Sequence, residues 1–263
     1  MVDPTLERAA GFVRRAGTPF EQARLEYLLS GRSLGASVVA LLAGQRSNGG
    51  FLPPWSPNYS SIDATCFRLA QAEQAGLHPG HPLLEEAVAF LVGRQSGDGS
   101  WQEDAEQANF APRWAMPGNP MAQAYLTANA GLWVARAGVG SAGRKAAEFL
   151  KRTLTQDGSV PSFLHANWLA AALFWAMDDR VAAEKLMSCL YARISDISAS
   201  GLAWLIVSLF AGGVDPGHAL IRKARSALLQ SQRDDGAFAS EDGPTHDVYS
   251  TLEAIHALVG EPQ

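Results

Sequence analysis

The side chains most able to do chemistry in this chain cluster in two short segments. In Ser61-Ile62-Asp63-Ala64-Thr65-Cys66 an acid and a thiol lie three residues apart, and on a helix that spacing puts both on one side. Joined by His246 from Thr245-His246-Asp247-Val248-Tyr249-Ser250-Thr251, they would form a mixed zinc site with one open position. Read singly, Asp63 is an early-turn carboxylate favoured by a helix N-terminus, and Cys66 is a small buried hydrophobe. His78 and His81 flank Pro79-Gly80, which reads as a turn with solvated histidines. Asp178-Asp179 runs straight into Arg180 and reads as the end of one helix and the cap of the next.

Aromatic residues form the other chemical resource. Trp55, Tyr59, Trp101, Phe110, Trp114, Trp168, Trp204 and Tyr249 fall in loops or near helix starts. Their ring faces would stabilise carbocations through the quadrupole. Core and turn packing is the plainer use, and it suits Trp101 and Phe238. Trp114, Trp168 and Tyr249 fit a cavity wall better.

These residues need a scaffold, and the sequence repeats one. Four segments end an amphipathic helix, turn on Asn/Asp-Gly and place a large apolar residue two positions after the glycine, or one after it in the first copy. They run Leu41 to Phe51 with Gln45, Phe90 to Trp101 with Gln95, Phe149 to Val160 with Gln156, and Leu228 to Phe238 with Gln232. Asn/Asp-Gly supplies the positive φ that stops a helix. Each turn leads into a second helical pattern, over Ser61 to Ala75, Pro120 to Ala137, His165 to Met177 and Asp247 to Val259. Small residues on several faces, such as Ala170, Ala171 and Ala172, predict inner helices packed all round. Pro82 to Arg94 and Ser141 to Arg152 carry a charged face and predict outer helices. Two further units lack the glycine turn. Pro4 to Ser30 divides at Gly17-Thr18-Pro19, with Thr18 as N-cap and Pro19 at N1, and Arg180 to Gly213 divides near Ser195 to Ser198. The result is about six hairpins of roughly 40–50 residues each in one domain over residues 1–263. The long irregular stretch from Gln102 to Asn119 is a candidate lid.

Composition narrows the function. Apolar residues make up 47% of the 263 and charged residues 18%, enough for a sizeable core. A net charge of -5 without a Lys/Arg block argues against nucleic acid. Cys66 and Cys189 alone make no disulfide framework and fit a reducing cytosol. The polar start has no apolar signal region. The longest apolar stretch, Trp168 to Met177, is about half the ~20 residues a membrane span needs. Peripheral membrane contact is compatible with the sequence, without a basic amphipathic segment to drive it.

The Gln-x-x-x-Gly-x-Trp/Phe turn after a helix resembles the repeat of squalene–hopene cyclases, class II diterpene cyclases and protein prenyltransferase β subunits. The resemblance implies an all-α (α/α)6 toroid with a central cavity, with chemistry at the inner-helix starts. Those fall around Phe20, Asp63, Tyr125, His165, Ser198 and Tyr249. The Asp63 segment is similar to the Asp-x-Asp-Asp-Thr-Ala stretch of class II cyclases, whose middle aspartate protonates an alkene or epoxide. Asp63 matches that aspartate, while Ser61 and Ala64 replace its flanking carboxylates. The zinc-binding histidine of the prenyltransferases falls near Ser250 here, and their Asp-x-Cys pair is missing, so zinc is not expected.

The resemblance thus implies a terpene cyclase-like isomerase performing acid-initiated cyclisation of an apolar isoprenoid. Asp63 would donate the proton, and His246 and Asp247 would be hydrogen-bond partners or the terminating base. Trp114, Tyr125, Asn167, Trp168, Trp204 and Tyr249 would line the substrate site. No cofactor is expected, with magnesium only for a diphosphate-bearing substrate. A non-catalytic hydrophobic-ligand-binding toroid and a zinc-dependent transferase or peptide-modifying enzyme remain alternatives on this scaffold.

Overall fold

The computed structural model describes residues 3–32 and 43–260. Among them are eleven α-helices. They are α1 (Pro4–Ala16), α2 (Pro19–Ser30), α3 (Ile62–Gln74), α4 (Pro82–Gly93), α5 (Pro120–Arg136) and α6 (Gly140–Thr153). Then follow α7 (Leu164–Ala176), α8 (Arg180–Ala192), α9 (Ala199–Ala211), α10 (Ala219–Gln230) and α11 (Asp247–Val259). The predicted helix starts and ends agree to within a residue or two. The helix expected before the first turn, with Leu41 and Leu42, lies outside the described residues.

Six helices make an inner ring. Each of α2, α3, α5, α7, α9 and α11 packs on the next, and α11 packs back on α2. Helices α1, α4, α6, α8 and α10 lie outside it. Small residues permit this all-round contact. A Cβ at Gly131 of α5 would sit 2.8 Å from both Ala146 of α6 and Leu173 of α7, so a larger residue there would overpack two interfaces at about 1–3 kcal/mol. Ala170, Ala171 and Ala172 of α7 are fully buried.

Caps set where the ring helices begin. Thr18 and Glu21 form a reciprocal capping box ahead of Pro19. Ser61 caps α3, accepting from the Ala64 amide at 3.1 Å.

The repeated turn is a joint between hairpins. Gln45 Nε2 donates to its own turn at the Gly49 carbonyl (2.9 Å) and to the next outer helix at the Leu83 carbonyl (2.8 Å). Gln95 does the same to Gly99 and Ala142, both at 3.0 Å. Gln232 bonds Gly236 at 3.0 Å and Thr5 at 2.9 Å, so the last turn grips the first helix and closes the ring. The turn glycine needs both its positive φ and its missing Cβ. At Gly236 φ is +93°, and a Cβ would lie 2.4 Å from the Arg8 carbonyl.

Two details of the repeat are corrected. In the third turn the backbone bonds of Thr155 match those of Arg46, Ser96 and Arg233. The residue in the glutamine position is therefore Leu154, and Gln156 is exposed and off register. In the first turn the glycine equivalent to Gly99 is Gly49, so Phe51 stands two places after it, as in the other copies.

Candidate active site

The turns also set the register of the inner helices. The amide of the apolar turn residue donates to a side chain one turn into the following inner helix. Phe51 bonds Thr65 Oγ1 at 3.1 Å, Trp101 bonds Thr127 Oγ1 at 3.0 Å and Phe238 bonds Thr251 Oγ1 at 3.0 Å. In the third unit Asn167 replaces the threonine and accepts from Val160 at 2.8 Å. The residue two places earlier is thereby held at one level on each helix. Those residues are Asp63, Tyr125, His165 and Tyr249.

Asp63 is the centre of this level. Its Oδ1 accepts from the Tyr125 hydroxyl at 2.7 Å, and its Oδ2 accepts from Trp114 Nε1 at 3.1 Å. Tyr125 is held in turn by Asn129 Nδ2, which donates to its oxygen at 3.3 Å. Burial raises the Asp63 pKa, against the pull of the two donors. The neutral acid therefore persists above the usual carboxylate range. The same burial, with the neighbouring Asp63 charge, pushes the Tyr125 phenol well up.

Glu103 holds the helix that carries Asp63. It is 2% exposed and sits over the N-terminus of α3. It accepts from Ser61 Oγ at 2.6 Å, from the amides of Ile62 and Asp63 at 3.1 and 3.2 Å, and from the Tyr59 hydroxyl at 2.9 Å. Its carboxyl is also raised by burial, with these four donors opposing. Glu103 and Trp114 both belong to the Gln102-to-Asn119 stretch, which thus lies directly across the acid. Arg94 fixes the start of that stretch through Asp104 at 2.8 Å.

Aromatic rings continue the level on both sides of Asp63. On one side Tyr125 meets His165 edge-on at 4.7 Å. His165 stacks on Trp204 at 5.2 Å and on Phe163 at 5.4 Å, and Trp204 meets Trp168 at 5.6 Å. On the other side Phe67 lies 5.0 Å from Tyr249. The Arg24 guanidinium lies over Tyr249 at 5.2 Å and bonds Gln74, which donates to Glu253 at 2.6 Å. Phe67 and Trp114 remain 43% and 45% exposed, so the level borders open space. A hollow of about 120 Å³ at the far ends of α2, α3, α5 and α11 is lined by Tyr27, Gln74, Arg136 and His256 among others and does not reach Asp63. A larger open dip of about 480 Å³ lies beside Gln232 to Asp235 and brings together no catalytic group.

The structure sorts the residues singled out from sequence. Asp63, Tyr125, Trp114, Trp204 and Tyr249 belong to the level around the acid. Trp168 is buried behind Trp204. Asn167 spends both ends of its amide on Val160 and serves the scaffold. Asp247 accepts from Arg233 Nη1 at 2.6 Å and from the Ser240 amide at 2.9 Å, which ties down the last loop. His246 is exposed in a short 3-10 turn. Neither of these two joins the Asp63 group among the described residues. Nor do any three His, Cys, Asp or Glu side chains there form a metal-binding group, so Asp63, Cys66 and His246 are not brought together. No described helix is long and apolar enough to cross a membrane. Glu103 was not singled out by sequence, and His165 was named there only as an inner-helix start, without a role. The signal for His165 was available in its place two residues before the turn-binding Asn167.

No family model matches the chain, and no curated protein matches it. Solved structures do. The type II terpene cyclase MstE from Scytonema, without ligand, is 17% identical with a TM-score of 0.61, over 97% of this chain and 96% of that one. Two variants of the same enzyme in complex with geranylgeranyl dihydroxybenzoate, described as its substrate, are 16% and 15% identical. Their TM-scores are 0.61 and 0.57, over 97% and 98% of this chain and 95% and 98% of theirs. The chain has the all-helical α/α-toroid fold of a type II terpene cyclase.

Proposed function

We propose that the chain is a class II-type cyclase that isomerises an apolar polyprenyl substrate by acid initiation, with Asp63 as the proton donor. The observation that carries this reading is the pair of donors on Asp63. Protonating an alkene requires a carboxyl that is neutral at rest yet becomes a well-stabilised anion in the transition state. Burial shifts Asp63 toward the first property. Tyr125 and Trp114 supply the second, since a hydrogen bond to a charged acceptor is worth about 1.5–3 kcal/mol against about 1 for a neutral one. The resulting cation would meet the rings of Tyr125, Trp204, Phe67 and Tyr249.

The solved relatives' geranylgeranyl dihydroxybenzoate makes a prenylated aromatic acid the first substrate to try. The proton comes from Asp63, so the chemistry needs no cofactor, and magnesium would enter only as the counter-ion of a diphosphate head group. Two free cysteines, Cys66 and Cys189, fit a cytosolic setting. The test is incubation with geranylgeranyl dihydroxybenzoate and geranylgeranyl diphosphate, with products read by mass spectrometry. Cyclised isomers from the wild type and none from Asp63→Asn are expected. Undiminished turnover in Asp63→Asn would overturn the mechanism. Tight binding of both compounds without product would make the chain a ligand-binding toroid instead.

A further inference from the structure

A cyclisation that begins with a proton must end by losing one, and neither His246 nor Asp247 is placed to take it. Resting on the cyclase reading, we propose that His165 is the catalytic base that ends the cascade.

Four observations converge on this side chain. The turn register puts His165 at the same level as Asp63, two inner helices further round. Its ring meets Tyr125, whose hydroxyl holds the acid, so donor and base lie on either side of one phenol. Its ring stacks on Phe163 and Trp204, with interplanar angles of 14° and 26°, which fixes its orientation. Among the described residues neither ring nitrogen makes a hydrogen bond and no carboxylate pairs with the ring, although the residue is only half-buried. The other three residues that the turns hold at this level are engaged through their polar atoms. Asp63 and Tyr125 bond each other, and Tyr249 bonds Glu253.

Burial also lowers the His165 pKa to about 4, so the imidazole is neutral and its lone pair available at ordinary pH. A weak base suffices here, because a carbocation is a very strong acid at its β carbons. The steps balance without an outside reagent. Asp63 gives its proton to the terminal alkene, whose π pair forms the new C–H bond. Internal alkenes then attack the cation, forming C–C bonds and passing the charge along the chain. His165 takes a β proton, and the C–H pair becomes the product alkene. The imidazolium releases its proton to water, and Asp63 regains one from water. The aromatic flanks suit a hydrocarbon chain folded against the level, which fixes which β proton the nitrogen reaches.

The test compares wild type, His165→Phe and His165→Gln on geranylgeranyl dihydroxybenzoate and geranylgeranyl diphosphate. Substrate consumption is scored separately from product identity. Both variants should still consume substrate, since protonation by Asp63 precedes the base. The wild-type alkene should fall on the order of a hundredfold, the usual worth of a general base, and be replaced by isomeric alkenes or by alcohols heavier by one water. An unchanged product ratio in both variants overturns the role of His165 and leaves the cyclase reading standing. Complete loss of consumption in both, with unaltered melting temperatures, also overturns it, because a terminating base is not needed for initiation. No consumption of either compound by the wild type overturns the cyclase reading and this role with it.

Discussion

The Tyr125 hydroxyl donates to Asp63 Oδ1 over 2.7 Å, which joins the acid on α3 to the neighbouring inner helix α5. In Tyr125→Phe the ring stays to meet His165 and Trp204, and only the hydrogen bond is lost. A bond to a carboxylate contributes about 1.5–3 kcal/mol, and its worth appears as the proton leaves. The expected result is a fall in kcat of roughly 10- to 150-fold with KM little changed. Steady-state kinetics on an accepted prenyl substrate would show it. A variant with wild-type kcat would remove Tyr125 from the acid's machinery.

Glu103 is the tie between the stretch that crosses the site and the helix that carries the acid. Glu103→Gln keeps the shape but offers one acceptor oxygen where two now serve four donors. Its amide group would face the N-terminus of α3, where hydrogens already point outward. A loss of about 2–3 kcal/mol is expected, measured as a lower urea midpoint at constant m-value. Trp114 emission should shift toward that of exposed indole as the stretch loosens. Unchanged stability and emission would show that Glu103 is a bystander.

His256 gives the fold a dependence on acid. Burial, helped by the charges of Arg136 and Arg24, lowers its pKa from 6.5 to about 4. The unfolded chain binds this proton below pH 6.5 and the folded chain only near pH 4, so the unfolded state holds more protons in between. Stability must then fall as pH drops through that window. At about 1.4 kcal/mol per pH unit the loss reaches about 3 kcal/mol by pH 4. His256→Leu should lose that much less than wild type between pH 7 and pH 4 in denaturant titrations at each pH. Parallel curves for the two proteins would contradict the assignment.

The scaffold was largely legible because its signals are local. Asp98-Gly99 and Asp235-Gly236 each build a tight turn a few residues after a helix ends, and the Thr18–Pro19 start is likewise set by its own few residues. Asp63 and Tyr125 were legible as inner-helix starts. What escaped depends on partners distant in sequence. Glu103 reaches the Asp63 amide across 40 residues, and nothing near it in sequence shows that a helix end lies overhead. Asp247 sits at a helix start like Asp63, but Arg233, 14 residues earlier, claims it. His165 was legible as an inner-helix start, but its place level with Asp63 was not. Its level follows from the side chain that binds the turn amide, and in that unit the side chain is Asn167 in place of a threonine.

The closing joint supplies a last expectation and a control for the repeat register. Gln232 Nε2 is shared between the Gly236 and Thr5 carbonyls, so its loss both loosens a turn and releases α1 from the end of the ring. Gln232→Ala should cost about 1–3 kcal/mol. At about 2–4 °C per kcal/mol for a chain of this size, the melting temperature should drop by roughly 2–12 °C. Gln156 belongs to a turn of similar sequence but is exposed, with Leu154 in the joint position. Gln156→Ala should therefore stay within about 0.5 kcal/mol of wild type. Calorimetry of the two variants side by side decides the matter. Equal destabilisation would mean that the third turn uses Gln156 as the others use Gln45, Gln95 and Gln232, and the register that places His165 level with Asp63 would have to be redrawn.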